Sequence, residues 1–128
     1  MVKTIATEKA PKALGPYCQA RVAGGLIFTS GQLGIDPAAG TLQEGTAAQA
    51  KQAMINLGAV LAAAGAGYDD IVKTVIFLDD VADFGAVNEV YASFFEDAVP
   101  ARSCVEVAAL PAGALVEIEC IAACSREE

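Results

Sequence analysis

Near its C-terminal end the chain carries Arg102, Cys104 and Glu106 at alternate positions, and a few residues later Glu117 and Glu119, again at alternate positions. Side chains of an extended strand point to opposite faces in turn, so Arg102, Cys104 and Glu106 share one face while Ser103, Val105 and Val107 share the other. In the later run Glu117 and Glu119 point one way, and Val116, Ile118 and Cys120 form an apolar face suited to packing under helices. The residue types matter as much as the spacing. A planar guanidinium grips a carboxylate through two parallel hydrogen bonds, and a carboxylate beside it can orient or deprotonate water. Together they could bind a small acid and deliver water to it.

If the two runs pair as an antiparallel hairpin, a register with Cys104 opposite Glu117 and Arg102 opposite Glu119 makes Arg102, Cys104 and Glu117 neighbours. A slip of two residues still leaves Arg102 and Glu117 within reach. The same arrangement also suits an ordinary cross-strand ion pair. Context points to a ligand, because Arg102 emerges from the apolar segment 98–101, where a half-buried guanidinium needs a partner to offset lost hydration. In that register Arg102 would lower the Glu117 pKa and weaken it as a base, unless a bound carboxylate takes up the charge.

Other residues have weaker claims. Tyr17, after Gly15 and Pro16, stands where a turn enters a strand, and it suits a pocket or an ordinary rim position equally well. Ser30 and Gly31 end a strand and could offer backbone N–H groups to an anion. Cys104 reads as a small apolar residue before a nucleophile, because the chain has no histidine to activate it. Cys18, Cys104, Cys120 and Cys124 lack CxxC spacing, read as free thiols and make no zinc site. The pairs Asp69-Asp70 and Asp79-Asp80 flank a strand without the alternating ligands of a calcium loop. No metal is expected.

The elements that must hold these residues can be traced along the chain. Strand-like runs fall at 3–6, 18–22 and 26–30, and Ala23, Gly24 and Gly25 between the last two predict a hairpin. Thr46 and Gln49 have capping-box spacing, and Ala50, Ala53, Met54, Leu57, Val60, Leu61 and Ala64 recur with a helical period until Gly65. A β-branched run covers 72–78, after which Asp83 is the candidate cap of a second helix carrying Phe84, Val87, Val90, Tyr91 and Phe94, with Pro100 near its end. Two further strands, about 102–108 and 115–123, flank a turn with Pro111 and Gly113. This order predicts an α+β fold, a mixed sheet with two helices on one face and the other face open and polar.

Composition narrows the function. The 128 residues suit one domain, 1–128, and contain neither repeats nor a linker. Eight Lys plus Arg against sixteen Asp plus Glu give a net charge of −8, which repels a phosphate backbone, so nucleic acid is a poor partner. The 55% hydrophobic content is inflated by alanine, and no run approaches the ~18 apolar residues of a membrane span. Lys3, Glu8 and Lys9 break up the first eleven residues, so no secretory signal is read there and the cytoplasm is the expected compartment.

The segments Gly15-Pro16-Tyr17, Phe28-Thr29-Ser30-Gly31-Gln32, Val87-Asn88, Pro100-Ala101-Arg102-Ser103-Cys104-Val105 and Val116-Glu117-Ile118-Glu119, read together, closely resemble the RidA (YjgF) family of reactive-intermediate deaminases. The likeness runs from about Lys3 to Ala123. It implies a chorismate-mutase-like α+β subunit, a homotrimer whose sheets form a central barrel, and active sites in the clefts between subunits. The implied reaction is hydrolysis of 2-aminoacrylate or 2-aminocrotonate, through their imine tautomers, to pyruvate or 2-oxobutanoate and ammonia, without a cofactor. Carried over by position, Arg102 would hold the substrate carboxylate and Glu117 would position or activate water. The Cys104 backbone carbonyl would contact the imine nitrogen, and Tyr17, Ser30 and Gly31 would shape the pocket. Phe84 and Asn88 would come from the neighbouring subunit. A module that binds 2-oxo acids without turnover is the main alternative; a nuclease and a holdase rank below it.

Overall fold

The computed structural model describes residues 1–124. In chain order the described residues form β1 (Lys3–Ile5), β2 (Ala20–Ala23), β3 (Leu26–Thr29), β4 (Gln32–Leu33), β5 (Ile35–Asp36), β6 (Thr41–Leu42), α1 (Thr46–Ala63), β7 (Ile71–Leu78), α2 (Phe84–Ala92), β8 (Ala101–Glu106) and β9 (Val116–Ala123). The main sheet has the order β1-β2-β3-β9-β7-β8, with β4 also on β9, while β5 and β6 pair separately. β8 runs parallel to β7 and the other neighbours are antiparallel. The α+β expectation of a mixed sheet with two helices is met.

Burial alternates along β9, where Val116, Ile118, Cys120 and Ala122 are buried under the helices while Glu117, Glu119 and Ile121 are half-buried. The same side of β7 contributes Thr74, Ile76 and Leu78. Against them α1 buries Ala50, Ala53, Met54, Leu57, Val60 and Leu61, which recur at three- and four-residue spacing. The helix ends as Gly65 suggests, with φ at 82°. The Gly65 N–H bonds to Ala62 O and the Ala66 N–H to Leu61 O, a Schellman closure that satisfies carbonyls left free by the last turn.

Several expectations fail. No hairpin joins β8 to β9, because β7 lies between them: Arg102 is level with Thr74 on β7, and Thr74 with Cys120 on β9. Helix burial explains the choice. β9 has an apolar face that needs helix cover and takes an interior position, whereas the less buried β8 stays at the edge. The capping box is also absent. Thr46 is the first residue inside α1, after Gly45, and its hydroxyl donates to Asp83 Oδ2, so Asp83 precedes α2 without capping it by side chain. Gln49 instead accepts from Leu115 N and donates to Gln43 O. Phe94 lies beyond α2 but packs its ring 5.3 Å from that of Tyr68. Finally, the open face is not simply polar: Phe28, Val75, Phe77, Val105 and Ile121 share it with Lys73, Glu117 and Glu119.

Candidate active site

Two clusters form on opposite faces of the sheet. On the open face, β3 stops at Thr29 and β4 resumes at Gln32, both against β9, so Ser30 and Gly31 interrupt an otherwise continuous strand beside β9. The interruption is tied in place. Thr29 Oγ1 accepts from Cys120 N at 3.0 Å, Ser30 Oγ donates to Cys18 O at 2.6 Å, and Ser30 N donates to Gln19 O at 2.9 Å. The Glu117 side chain lies against Gly31 so closely that a Cβ there would overlap its carboxylate. Glycine is therefore what lets the carboxylate occupy this position.

Gln19 braces the same cluster. Its buried amide accepts from Thr7 N and donates to Thr7 O and Pro11 O, holding the N-terminal loop that ends at Tyr17. Tyr17 is about half exposed, and its hydroxyl accepts from Leu14 N. A cavity of about 530 Å³ lies beside it, lined among others by Thr7, Lys12, Tyr17 and Cys18. Nothing in the sequence singled out Gln19; only the convergence of backbone groups around its amide reveals the role.

On the helix face, the Arg102 guanidinium lies over two rings of α2, 5.4 Å from the centre of Phe84 and 5.0 Å from that of Tyr91. Phe84, Asn88 and Tyr91 follow helical spacing and so share a stripe of α2. Tyr91 is buried, and its hydroxyl shares a 2.7 Å hydrogen bond with Thr74. Burial also pushes the Tyr91 phenol up, with Thr74 and the Arg102 charge opposing. Among the described residues Arg102 has no carboxylate partner, Glu117 has no cation or hydrogen-bond donor, and the half-buried Asn88 amide has no hydrogen bond.

The expected meeting of Arg102 and Glu117 within one chain does not occur. Arg102 shares the side of Thr74, whereas Glu117 is level with Phe77 and takes the opposite side. The electrostatics agree. The Glu117 pKa is raised, first by burial and then by Glu119, whereas a neighbouring guanidinium would have lowered it. Burial also raises the Cys104 thiol, with Arg102 pulling the other way, which leaves the sulfur a poor nucleophile.

Comparison with known proteins identifies the family. The family model described as endoribonuclease L-PSP matches residues 7–124, nearly the whole chain. The chain belongs to this family. It is 52% identical over 124 residues to a RutC family protein of Synechocystis, covering 94% of this chain and 95% of that one. It is 50% identical over 125 residues to the 2-iminobutanoate/2-iminopropanoate deaminase of Salmonella typhimurium, covering 95% and 98%. The crystal structure of RidA from an Antarctic Psychrobacter superposes with a TM-score of 0.93 at 46% identity, covering 94% and 98%. The resemblance read from the sequence is thus upheld. No helix among the described residues is long and apolar enough to cross a membrane.

Proposed function

We propose that the chain, acting as one domain, is an imine hydrolase that converts 2-iminopropanoate and 2-iminobutanoate to pyruvate, 2-oxobutanoate and ammonia. Its active site would be shared between copies of a homotrimer. The observation that carries this reading is a pair of opposite charges without partners among the described residues: Arg102 and Glu117 are both half-buried, and no described residue of the chain neutralises either. A substrate bearing a carboxylate and a protonated imine complements both. Since the two lie on opposite faces, one copy would supply Arg102, Cys104, Phe84 and Asn88, and its neighbour would supply Tyr17, Ser30, Gly31 and Glu117. Placing Phe84 across the subunit boundary then carries Arg102 with it, because the guanidinium lies on that ring. The apolar open face, with Phe28 and Val105 each more than 40% exposed, suits the inside of a barrel of three sheets.

The chemistry asks little of the protein. Arg102 would hold the substrate carboxylate in bidentate fashion, fixing the imine carbon near Glu117. Glu117 takes a proton from water as its oxygen adds to that carbon, giving a tetrahedral amino alcohol. That proton then passes from Glu117 to nitrogen, the C–N bond breaks, and the carbonyl forms as the hydroxyl proton returns to Glu117 and is passed on to the departing ammonia. A carboxyl whose pKa is raised is a stronger base than an ordinary carboxylate, which suits it to accept and return the proton. Cys104 belongs to an edge strand, which leaves backbone carbonyls free to receive the imine N–H. RNA cleavage is disfavoured by the net charge of −8 and the absence of histidine. The free thiols of Cys18, Cys104 and Cys120 suit the reducing cytoplasm.

The decisive experiment pairs two dead variants. Arg102→Ala and Glu117→Gln should each abolish pyruvate formation from 2-aminoacrylate generated by a dehydratase. Co-expressed in equal amounts, they should regain roughly a quarter of the parent activity, because random assembly joins an intact arginine to an intact glutamate at that fraction of shared sites. Full activity in Arg102→Ala would defeat the function, and a mixture that stays inactive would defeat the shared site.

A further inference from the structure

Arg102 is a charged side chain at a sheet edge with no ion-pair partner among the described residues, and its visible support is aromatic. Its guanidinium rests on Phe84 and Tyr91, and these rings differ in how they are held. Phe84 is 41% exposed at the start of α2, whereas Tyr91 is 6% exposed and locked by its hydrogen bond to Thr74, a β7 residue with no exposure. Thr74 is also the strand neighbour of Arg102. The strand that fixes the height of the Arg102 backbone therefore also fixes the ring beneath its side chain. Phe95, 5.0 Å from the Tyr91 ring centre, packs against it as well.

We propose that Tyr91, oriented by Thr74, is the positioning residue for Arg102: its ring holds the guanidinium ready without neutralising it. A carboxylate in the same place would pair with Arg102 and compete with the substrate. An aromatic face attracts the cation through its quadrupole while leaving all five N–H donors in the plane of the guanidinium, free for an incoming carboxylate. Preorganising the arginine in this way removes part of the side-chain ordering that binding would otherwise require. This inference rests on the reading of Arg102 as the substrate-carboxylate anchor.

The test separates affinity from turnover. Tyr91→Leu removes the ring and is expected to raise KM roughly tenfold while kcat stays within about twofold. Tyr91→Phe keeps the ring and should recover most of that affinity. In an Arg102→Ala background, where KM is replaced by pyruvate binding measured calorimetrically, Tyr91→Leu should add no further loss. If Tyr91→Leu does not fold by circular dichroism, Tyr91→Met, which fills more of the ring's volume without an aromatic face, takes its place with the same expected KM increase. A folded ring-deletion variant with unchanged KM overturns the inference, as does an equal loss of affinity in the Arg102→Ala background. Arg102→Ala, measured alongside, distinguishes the two levels. If that variant is inactive while ring deletion has no effect, only the positioning role falls; if it is fully active, the anchor reading falls and takes this inference with it.

Discussion

The helix-covered side of the sheet and its open side each hold half of the proposed site, and they position their charged groups by different means. On the covered side Arg102 lies on the exposed ring of Phe84 and on that of Tyr91, which the core already holds, so its position follows from packing. On the open side Glu117 has no such bed. It occupies space left by the absent side chain of Gly31, within a strand interruption where Ser30 donates to Cys18 O and Gln19 O and Thr29 accepts from Cys120 N. A cation can be positioned by π faces at small desolvation cost, whereas a carboxylate needs room, polar neighbours or water. The arginine half should therefore respond to changes in packing, and the glutamate half to changes in backbone geometry.

Two glycines give the largest contrast. Alanine at Gly31 would collide with the end of a movable side chain, and at Gly34 with the α1 backbone at Gln49. Gly31→Ala is thus expected to fold and to lose roughly 10²-fold in kcat/KM as Glu117 is displaced. Gly34→Ala should instead cost about 2–3 kcal/mol or more of stability, because backbone cannot yield. Urea denaturation alongside the coupled assay checks both; a Gly31→Ala enzyme of parent activity would break the comparison.

On the covered side, Thr74→Val leaves the Tyr91 hydroxyl buried without its partner and is expected to cost about 1–3 kcal/mol, read as a lower urea midpoint. No change in that midpoint would show that the covered side does not depend on this bond.

The pH dependence sharpens the open side. Folding raises the Glu117 pKa, so the folded chain holds that proton more tightly than the unfolded one. The associated stability is present below the ordinary carboxylate range and is lost as pH rises through the folded pKa. Glu117→Gln, always neutral, should therefore melt above the parent at neutral pH and level with it in acid. Catalysis should rise with pH through a midpoint above the usual carboxylate range. Glu119→Gln, which removes the second cause of the shift, should lower that midpoint, leaving the larger contribution of burial in place. A melting difference that does not vary with pH would argue against a raised Glu117.

The smallest effect concerns the link between the two helix starts. Thr46→Val removes the hydroxyl that donates to Asp83 and is expected to cost about 1 kcal/mol, seen as a small drop in Tm without loss of activity.

Much of this was legible in the residue pattern. Periodicity placed α1 and its end at Gly65, and alternation assigned the buried face of β9 and grouped Arg102 with Cys104. The family motifs named the chemical groups, and the comparisons uphold the family. Tyr91 was visible only as an apolar helical residue, although its seven-residue spacing from Phe84 and the need of Arg102 for a partner were both available. Gln19 and Thr74 carried no local signal, because their roles arise from residues distant in sequence.

By itself the sequence determined which side chains share a strand face and where the long helix runs, and it offered the arginine and the glutamate that are proposed as the reactive pair. Alternation is a property of each strand alone, so local pattern suffices for it. Which strands become neighbours, and hence whether two such faces coincide, is a long-range choice driven by burial of whole faces under helices. Only the tertiary structure decided that β7 lies between β8 and β9, putting Arg102 and Glu117 on opposite sides of one sheet.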